Sequence, residues 1–160
     1  MYLMIIMNIP YNPRAVNPII EFAEVKQSEL HGFGLFAKVL IPKGTVWWHA
    51  RTEDVLIVTK HQFEVLDSSK KSPLIDNYMN ALLTYSYYDM ELDALVFCLD
   101  DAKFVNHSYT PNTGTIEENS VNAIASRDIQ PGEEITEDYT TYIKCAWLEK
   151  YKEHFDPTYW

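Results

Sequence analysis

Ala102-Lys103-Phe104-Val105-Asn106-His107-Ser108-Tyr109-Thr110-Pro111-Asn112 comes almost directly after the apolar run Ala94-Leu95-Val96-Phe97-Cys98-Leu99. The apolar run has the length and composition of a buried strand. The polar run reads as a rigid loop, because Asn, His and Ser side chains tie down their own backbone. Two further segments belong with it. Upstream is His31-Gly32-Phe33-Gly34-Leu35-Phe36-Ala37, followed by Ile41-Pro42-Lys43-Gly44-Thr45. Downstream is Ala125-Ser126-Arg127-Asp128-Ile129, then Gly132-Glu133-Glu134-Ile135-Thr136-Glu137-Asp138-Tyr139. Taken singly, two close glycines mark a turn or bulge that permits close backbone approach, and Gly-Glu-Glu marks an acidic turn before a strand.

Outward from these segments, short strands dominate. Residues 1–18 carry Pro10, Pro13 and Pro18 and read as an irregular lead-in. Ile19 to Val25 alternates as a strand does, and Leu35 to Val39, Thr45 to Trp48, Asp54 to Val58 and Val121 to Ser126 are further strands. Two helices interrupt them. One is short and polar over 59–71, and the other starts at Ser72 as N-cap with Pro73 in its first turn and runs to about Leu83. Ile143, Trp147, Tyr151 and Phe155 recur every four residues, which predicts an amphipathic C-terminal helix. The expected architecture is mainly β with some α: one domain over 19–142 with an insert at about 49–92, and a helical tail over 143–160.

Composition narrows the function classes. The chain has 160 residues, 47% hydrophobic and 22% charged, which suits one soluble globular domain. Aromatics reach 14%, with eleven Tyr and four Trp, favouring strands and aromatic-lined pockets. No apolar run approaches the roughly 20 residues of a membrane helix. Met1 to Met7 lacks the basic flank and cleavage site of a secretory signal. Cys98 and Cys145 are the only cysteines, too few for a disulfide framework or a cysteine zinc site. A cytoplasmic location is expected, or a nuclear or secreted-effector one if the source organism is host-associated.

The net charge is −10, and residues 89–138 carry all of it, with twelve acids against Lys103 and Arg127. Such a surface repels a phosphate backbone and attracts Lys- and Arg-rich chains. Neither direct nucleic-acid binding nor membrane binding is expected. The oligomeric state is left open.

No phosphate-binding loop, GxGxxG, GxSxG or HExxH pattern occurs. In their order and spacing, however, the three segments resemble the SET-domain family of S-adenosylmethionine-dependent protein lysine methyltransferases. That family joins a GxG segment and an IPxGT-like turn to an (R/K)F(I/V)NHSxxPN segment and a closing GEE(I/L)xxDY segment. The resemblance covers residues 21–142, and Thr45 through Leu83 also resembles the variable insert of small bacterial-type members.

The resemblance implies a β-clip fold of several small sheets, with a knot-like crossing of the NHS and C-terminal segments. It implies S-adenosylmethionine held by His31, Gly32 and Phe33, largely through backbone, and by Asn106 and His107. It implies Tyr139 as the catalytic tyrosine, with Tyr85 or Tyr87 as a second tyrosine of the lysine channel. Tyr142 and Trp147 are candidates to help close the site, with helix packing the favoured role for Trp147, and the tail helix is a candidate to substitute as its lid. Tyr109 stands where many members have a zinc-binding Cys, and only Cys145 follows Tyr139, so no metal is expected. The substrate implied is a lysine-rich basic protein or peptide. The alternative is a catalytically weak SET module that acts as a protein-interaction domain.

Overall fold

The computed structural model describes residues 16–69, 71–115, 122–142 and 144–154. In chain order these form α1 (Ile19–Phe22), β1 (Ala23–Gln27), β2 (Phe33–Ala37), β3 (Val46–His49), β4 (Val55–Thr59), α2 (Lys60–Ser68), α3 (Pro73–Tyr85), β5 (Ser86–Asp89), β6 (Ala94–Cys98), β7 (Asn106–His107), β8 (Thr113–Thr115), β9 (Asn122–Ala125) and β10 (Glu134–Glu137). Short 3-10 turns cover Asp101–Phe104, Tyr139–Thr141 and Ala146–His154.

The strands make three small sheets, ordered β1-β2-β10-β7, β3-β9-β8 and β4-β6-β5. In the first, β2 pairs antiparallel with β1 and β10, and β10 pairs parallel with β7, placing Thr136 opposite Asn106 and Glu137 opposite His107. This pairing brings the three marked segments into one sheet, although they are far apart in sequence. The mainly-β architecture of several small sheets is the one expected.

Two apolar cores hold the sheets. Leu35, Ile41, Trp47, Ala125, Ile129 and Ile135 are almost wholly buried in the first, and the Trp47 indole donates to Thr113 Oγ1 at 2.6 Å. The second joins the insert to the tail through Val58, Phe63, Met79, Leu82, Leu83, Leu95 and Leu148. Strand β6 links them, sending Leu95 into one and Cys98 into the other. Full burial of side chains such as Leu82 contributes about 1.5–3 kcal/mol each.

Both insert helices follow from local signals. Thr59 and Gln62 form a reciprocal capping box at the start of α2. Ser72 Oγ accepts from the Ile75 N–H at the start of α3, with Pro73 in the first turn. Two expectations need correction. Ile19–Phe22 is a single helical turn, not the start of a strand: Pro18 has helical φ/ψ, its carbonyl accepts from Glu21 N at 2.9 Å, and the strand begins only at Ala23. The tail is a series of 3-10 turns broken at Tyr151 rather than an α-helix. Side-chain anchors set its path: the Trp147 indole donates to Asp93 Oδ1 at 2.9 Å, and Tyr151 donates to Asp67. Ile143 and Phe155 lie outside the described residues, as does most of the 1–18 lead-in.

Candidate functional site

The site is built around the short segment 105–107. On one side, Asn106 Nδ2 reaches the carbonyls of His31 at 3.2 Å and Phe33 at 3.1 Å, and Glu134 Oε1 at 2.7 Å. Glu134 also accepts from Ser28 Oγ at 2.8 and 2.9 Å. One amide and one carboxylate thus fix the β1–β2 hairpin to β7 and β10. Gly34 is what allows this approach. A Cβ built there would stand 2.1 Å from Glu134 Oε1 and 3.0 Å from Ser28 Cβ. At the tip, Gly32 has φ +49°, a left-handed conformation that side chains other than glycine's disfavour.

On the other side of the segment, the Tyr139 phenol donates to the Val105 carbonyl. His107 Nδ1 accepts from the Tyr139 backbone N–H at 3.1 Å, which fixes the turn that carries the phenol. That lone pair is then in use, so the 3.9 Å approach of Nδ1 to Asp138 is not an ion pair through a protonated Nδ1. Asn112, 1% exposed, locks the segments further. Its side chain accepts from Thr136 N at 2.9 Å and donates to the Glu134 carbonyl at 2.7 Å.

Around the Tyr139 phenol the surroundings are aromatic. Tyr142 stacks on it, with centroids 5.2 Å apart and planes at 22°, and Tyr87 meets Tyr142 at 6.5 Å. The Tyr142 hydroxyl turns inward and donates to Glu137, while the residue keeps 42% of its surface exposed. Burial, and then the Glu137 charge, push the Tyr139 phenol well above its ordinary pKa, and burial does the same to Tyr87. At neutral pH the Tyr139 hydroxyl is therefore a hydrogen-bond donor and not a base. Cys98 behind it is an inert thiol, pushed up to about 12, chiefly by burial.

The expected residues fall into two groups. His31, Gly32, Phe33 and Asn106 meet at the hairpin, whereas His107, Tyr139 and, through Tyr142, Tyr87 meet at the phenol. Tyr85 sits with the first group: its ring packs on Phe104 at 5.8 Å, and Phe104 packs on Phe33 at 6.1 Å. Trp147 lies away from Tyr139, against Phe63 at 5.5 Å and Tyr88 at 6.2 Å. The described part of the tail, residues 144–154, therefore packs on the insert rather than on the phenol. Two clefts, of about 320 Å³ beside Asp67 and Tyr151 and about 160 Å³ beside Ile19 and Asp100, contain no residue of either group.

Glu134, Glu137 and Phe104 were not foreseen as site residues. Gly-Glu-Glu carried the signal for Glu134, since a glutamate fixed next to a glycine-bearing hairpin has backbone and amide donors to hold. Among the described residues no three His, Cys, Asp or Glu side chains group as a metal site requires. An S-adenosylmethionine molecule fits the hairpin in kind. The position of a Gly32 side chain is open, Phe33 is 60% exposed, and Phe104 and Tyr85 offer apolar ring faces beside it.

No curated protein matches the chain. Among solved structures, a candidate histone methyltransferase from Plasmodium falciparum is similar, with 21% identity and a TM-score of 0.49 over 74% of this chain and 92% of that one. The family model for the SET domain matches residues 32–140, more than half of the sequence, and the chain belongs to the SET-domain family.

Proposed function

We propose that this protein transfers a methyl group from S-adenosylmethionine to the side-chain amine of lysine in a basic protein. One observation carries the reading. The segment 105–107 is held to the glycine hairpin through Asn106 on one side and to the Tyr139 phenol through the Val105 carbonyl on the other. A donor bound along the hairpin and an amine beside the phenol would then face each other across three residues.

His31, Gly32 and Phe33 would hold the cofactor through main chain, and Asn106 and His107 would complete its site. When bound, S-adenosylmethionine supplies an electrophilic methyl on a sulfonium. The chain's own contribution is positioning. At pH 7 only about one free lysine in 2,500 is neutral. A dry aromatic lining of Tyr139, Tyr142 and Tyr87 disfavours the ammonium and helps release the reactive amine. The Tyr139 hydroxyl, still protonated, orients that amine.

The acidic third of the sequence supports a basic partner, and several of its carboxylates also accept hydrogen bonds within the fold. Asp93 accepts from Trp147, Asp100 from Trp48, Asp128 from Lys43 N, Glu133 from Arg127, and Asp138 from Thr140. Glu91 and Asp101 are exposed. The test is incubation with isotopically labelled S-adenosylmethionine and a panel of basic proteins, with mass spectrometry to locate the label. Label on lysine side chains supports the reading. Cofactor binding by calorimetry with no labelled product on any protein contradicts it in favour of an interaction module.

A further inference from the structure

Glu137 is a half-buried acid that no Lys or Arg pairs with among the described residues. It ends β10, two residues before Tyr139, and its carboxylate accepts the Tyr142 hydroxyl. The titratable groups facing it are Tyr87 from β5, Cys98 from β6, and Tyr139 and Tyr142 from the turn that follows. None of these is a cation. His107 lies opposite on β7, with Nδ1 engaged by the Tyr139 N–H. Burial raises its carboxyl above the ordinary carboxylate range, opposed only by the Tyr142 hydrogen bond.

A carboxylate that only had to receive one phenol could be a neutral amide, at lower cost. A carboxylate set among tyrosines has instead the means to hold an ammonium there: its anion offsets the charge that the dry rings around it disfavour, and it is the one acceptor for the proton that leaves. The Tyr142 hydroxyl occupies the position an ammonium N–H would take, on a residue that is 42% exposed and so borders solvent.

We propose that Glu137 binds the substrate's lysine ammonium beside Tyr139, displacing the Tyr142 hydroxyl, and takes up its proton. This rests on the methyl-transfer reading given above. In the proton step one N–H bond breaks and one O–H bond forms on the Glu137 carboxylate. The ammonium becomes a neutral amine with its lone pair free, and the carboxylate becomes a carboxylic acid. The proton later passes to water, and nothing is oxidised or reduced. The raised carboxyl makes this transfer less uphill than it is for an ordinary glutamate.

The test uses n-butylammonium, with n-butanol as its uncharged analogue, titrated into the full-length protein and followed by NMR. S-adenosylmethionine binding is measured on the same samples by calorimetry. The wild type is expected to bind n-butylammonium saturably and at least tenfold tighter than n-butanol. Glu137→Gln is expected to lose that preference while keeping its S-adenosylmethionine affinity, and Tyr142→Phe to bind n-butylammonium several-fold tighter. Absence of saturable n-butylammonium binding, or equal binding by wild type and Glu137→Gln, overturns the proposal. Should Glu137→Gln fail to fold, Tyr142→Phe decides: tighter binding supports the proposal, and unchanged or weaker binding overturns it. Failure of the methyl-transfer reading registers separately, as absent S-adenosylmethionine binding in the wild type.

Discussion

The Asn106 amide lies 2.7 Å from the Glu134 carboxylate, and this bond joins two segments whose residues are 28 positions apart in sequence. Glu134 in turn holds Ser28 of the hairpin, 106 positions away. The hairpin, the NHS segment and the closing segment are thus one hydrogen-bonded unit, and a disturbance at any of the three should reach the others.

Gly34→Ala tests that unit. The new methyl would meet Glu134 Oε1 at 2.1 Å, and the carboxylate must swing away from both Ser28 and Asn106. Losing partners for these groups is expected to lower stability by about 1–3 kcal/mol. S-adenosylmethionine affinity, read by calorimetry, should fall at least about tenfold, equivalent to roughly 1.4 kcal/mol. Wild-type affinity in the variant would mean that the hairpin does not need Glu134.

Asn112→Leu removes the buried lock. The Thr136 N–H and the Glu134 carbonyl would both lose their partner inside the fold. The expected cost is about 3 kcal/mol, read as a drop in the urea midpoint at an unchanged slope. A change within about 0.5 kcal/mol, typical of surface substitutions, would assign Asn112 no structural role.

Acid sensitivity should come in part from Glu133. The Arg127 guanidinium 2.5 Å away, aided by the Gln130 N–H and Asn112, holds its carboxyl down at about 2, against an ordinary 4.5. A depressed carboxyl stabilises the fold above its unfolded-state value, and that stabilisation is lost as pH falls through the folded-state value. The contribution is therefore whole above about pH 4.5 and disappears towards pH 2. Thermal melts of wild type and Glu133→Gln should differ most above pH 4.5 and converge towards pH 2. A gap between them that stays constant across this window contradicts the assignment.

Sequence legibility tracks the range of the interactions. The cap of α3 is readable because Ser72 and Ile75 lie three residues apart, whereas the Thr59–Gln62 box of α2, equally local, is seen only in the fold. Strand β6 was readable from its apolar run. The turn at Ile19–Phe22 was not, since alternation over so few residues does not separate a strand from one helical turn after proline. Nor was the tail's path. Spacing by fours predicts an α-helix, but Trp147 and Tyr151 are fixed individually by Asp93 and Asp67, acids distant in sequence. The site motifs located Asn106, His107 and Tyr139. Only the folded chain assigns Glu134 and Glu137 their partners, because as sequence both belong to the same acidic stretch.

Substrate binding should be electrostatic. With the surplus of acids confined to residues 89–138, lysine-rich peptides are expected to bind more weakly as salt rises from about 0.01 to 0.15 M, where the screening length shrinks from roughly 30 to 8 Å. Affinity measured by fluorescence anisotropy and found insensitive to salt would contradict a charge-guided groove.

In the proposed function the Tyr139 hydroxyl serves methyl transfer to an amine. The most direct measurement of this role is turnover of labelled S-adenosylmethionine onto basic proteins by wild type and Tyr139→Phe, with cofactor binding followed in parallel. The predicted result is a loss of turnover of about 10²-fold or more, the scale for removing one positioned donor, with cofactor affinity unchanged. Equal turnover by the two proteins would contradict it.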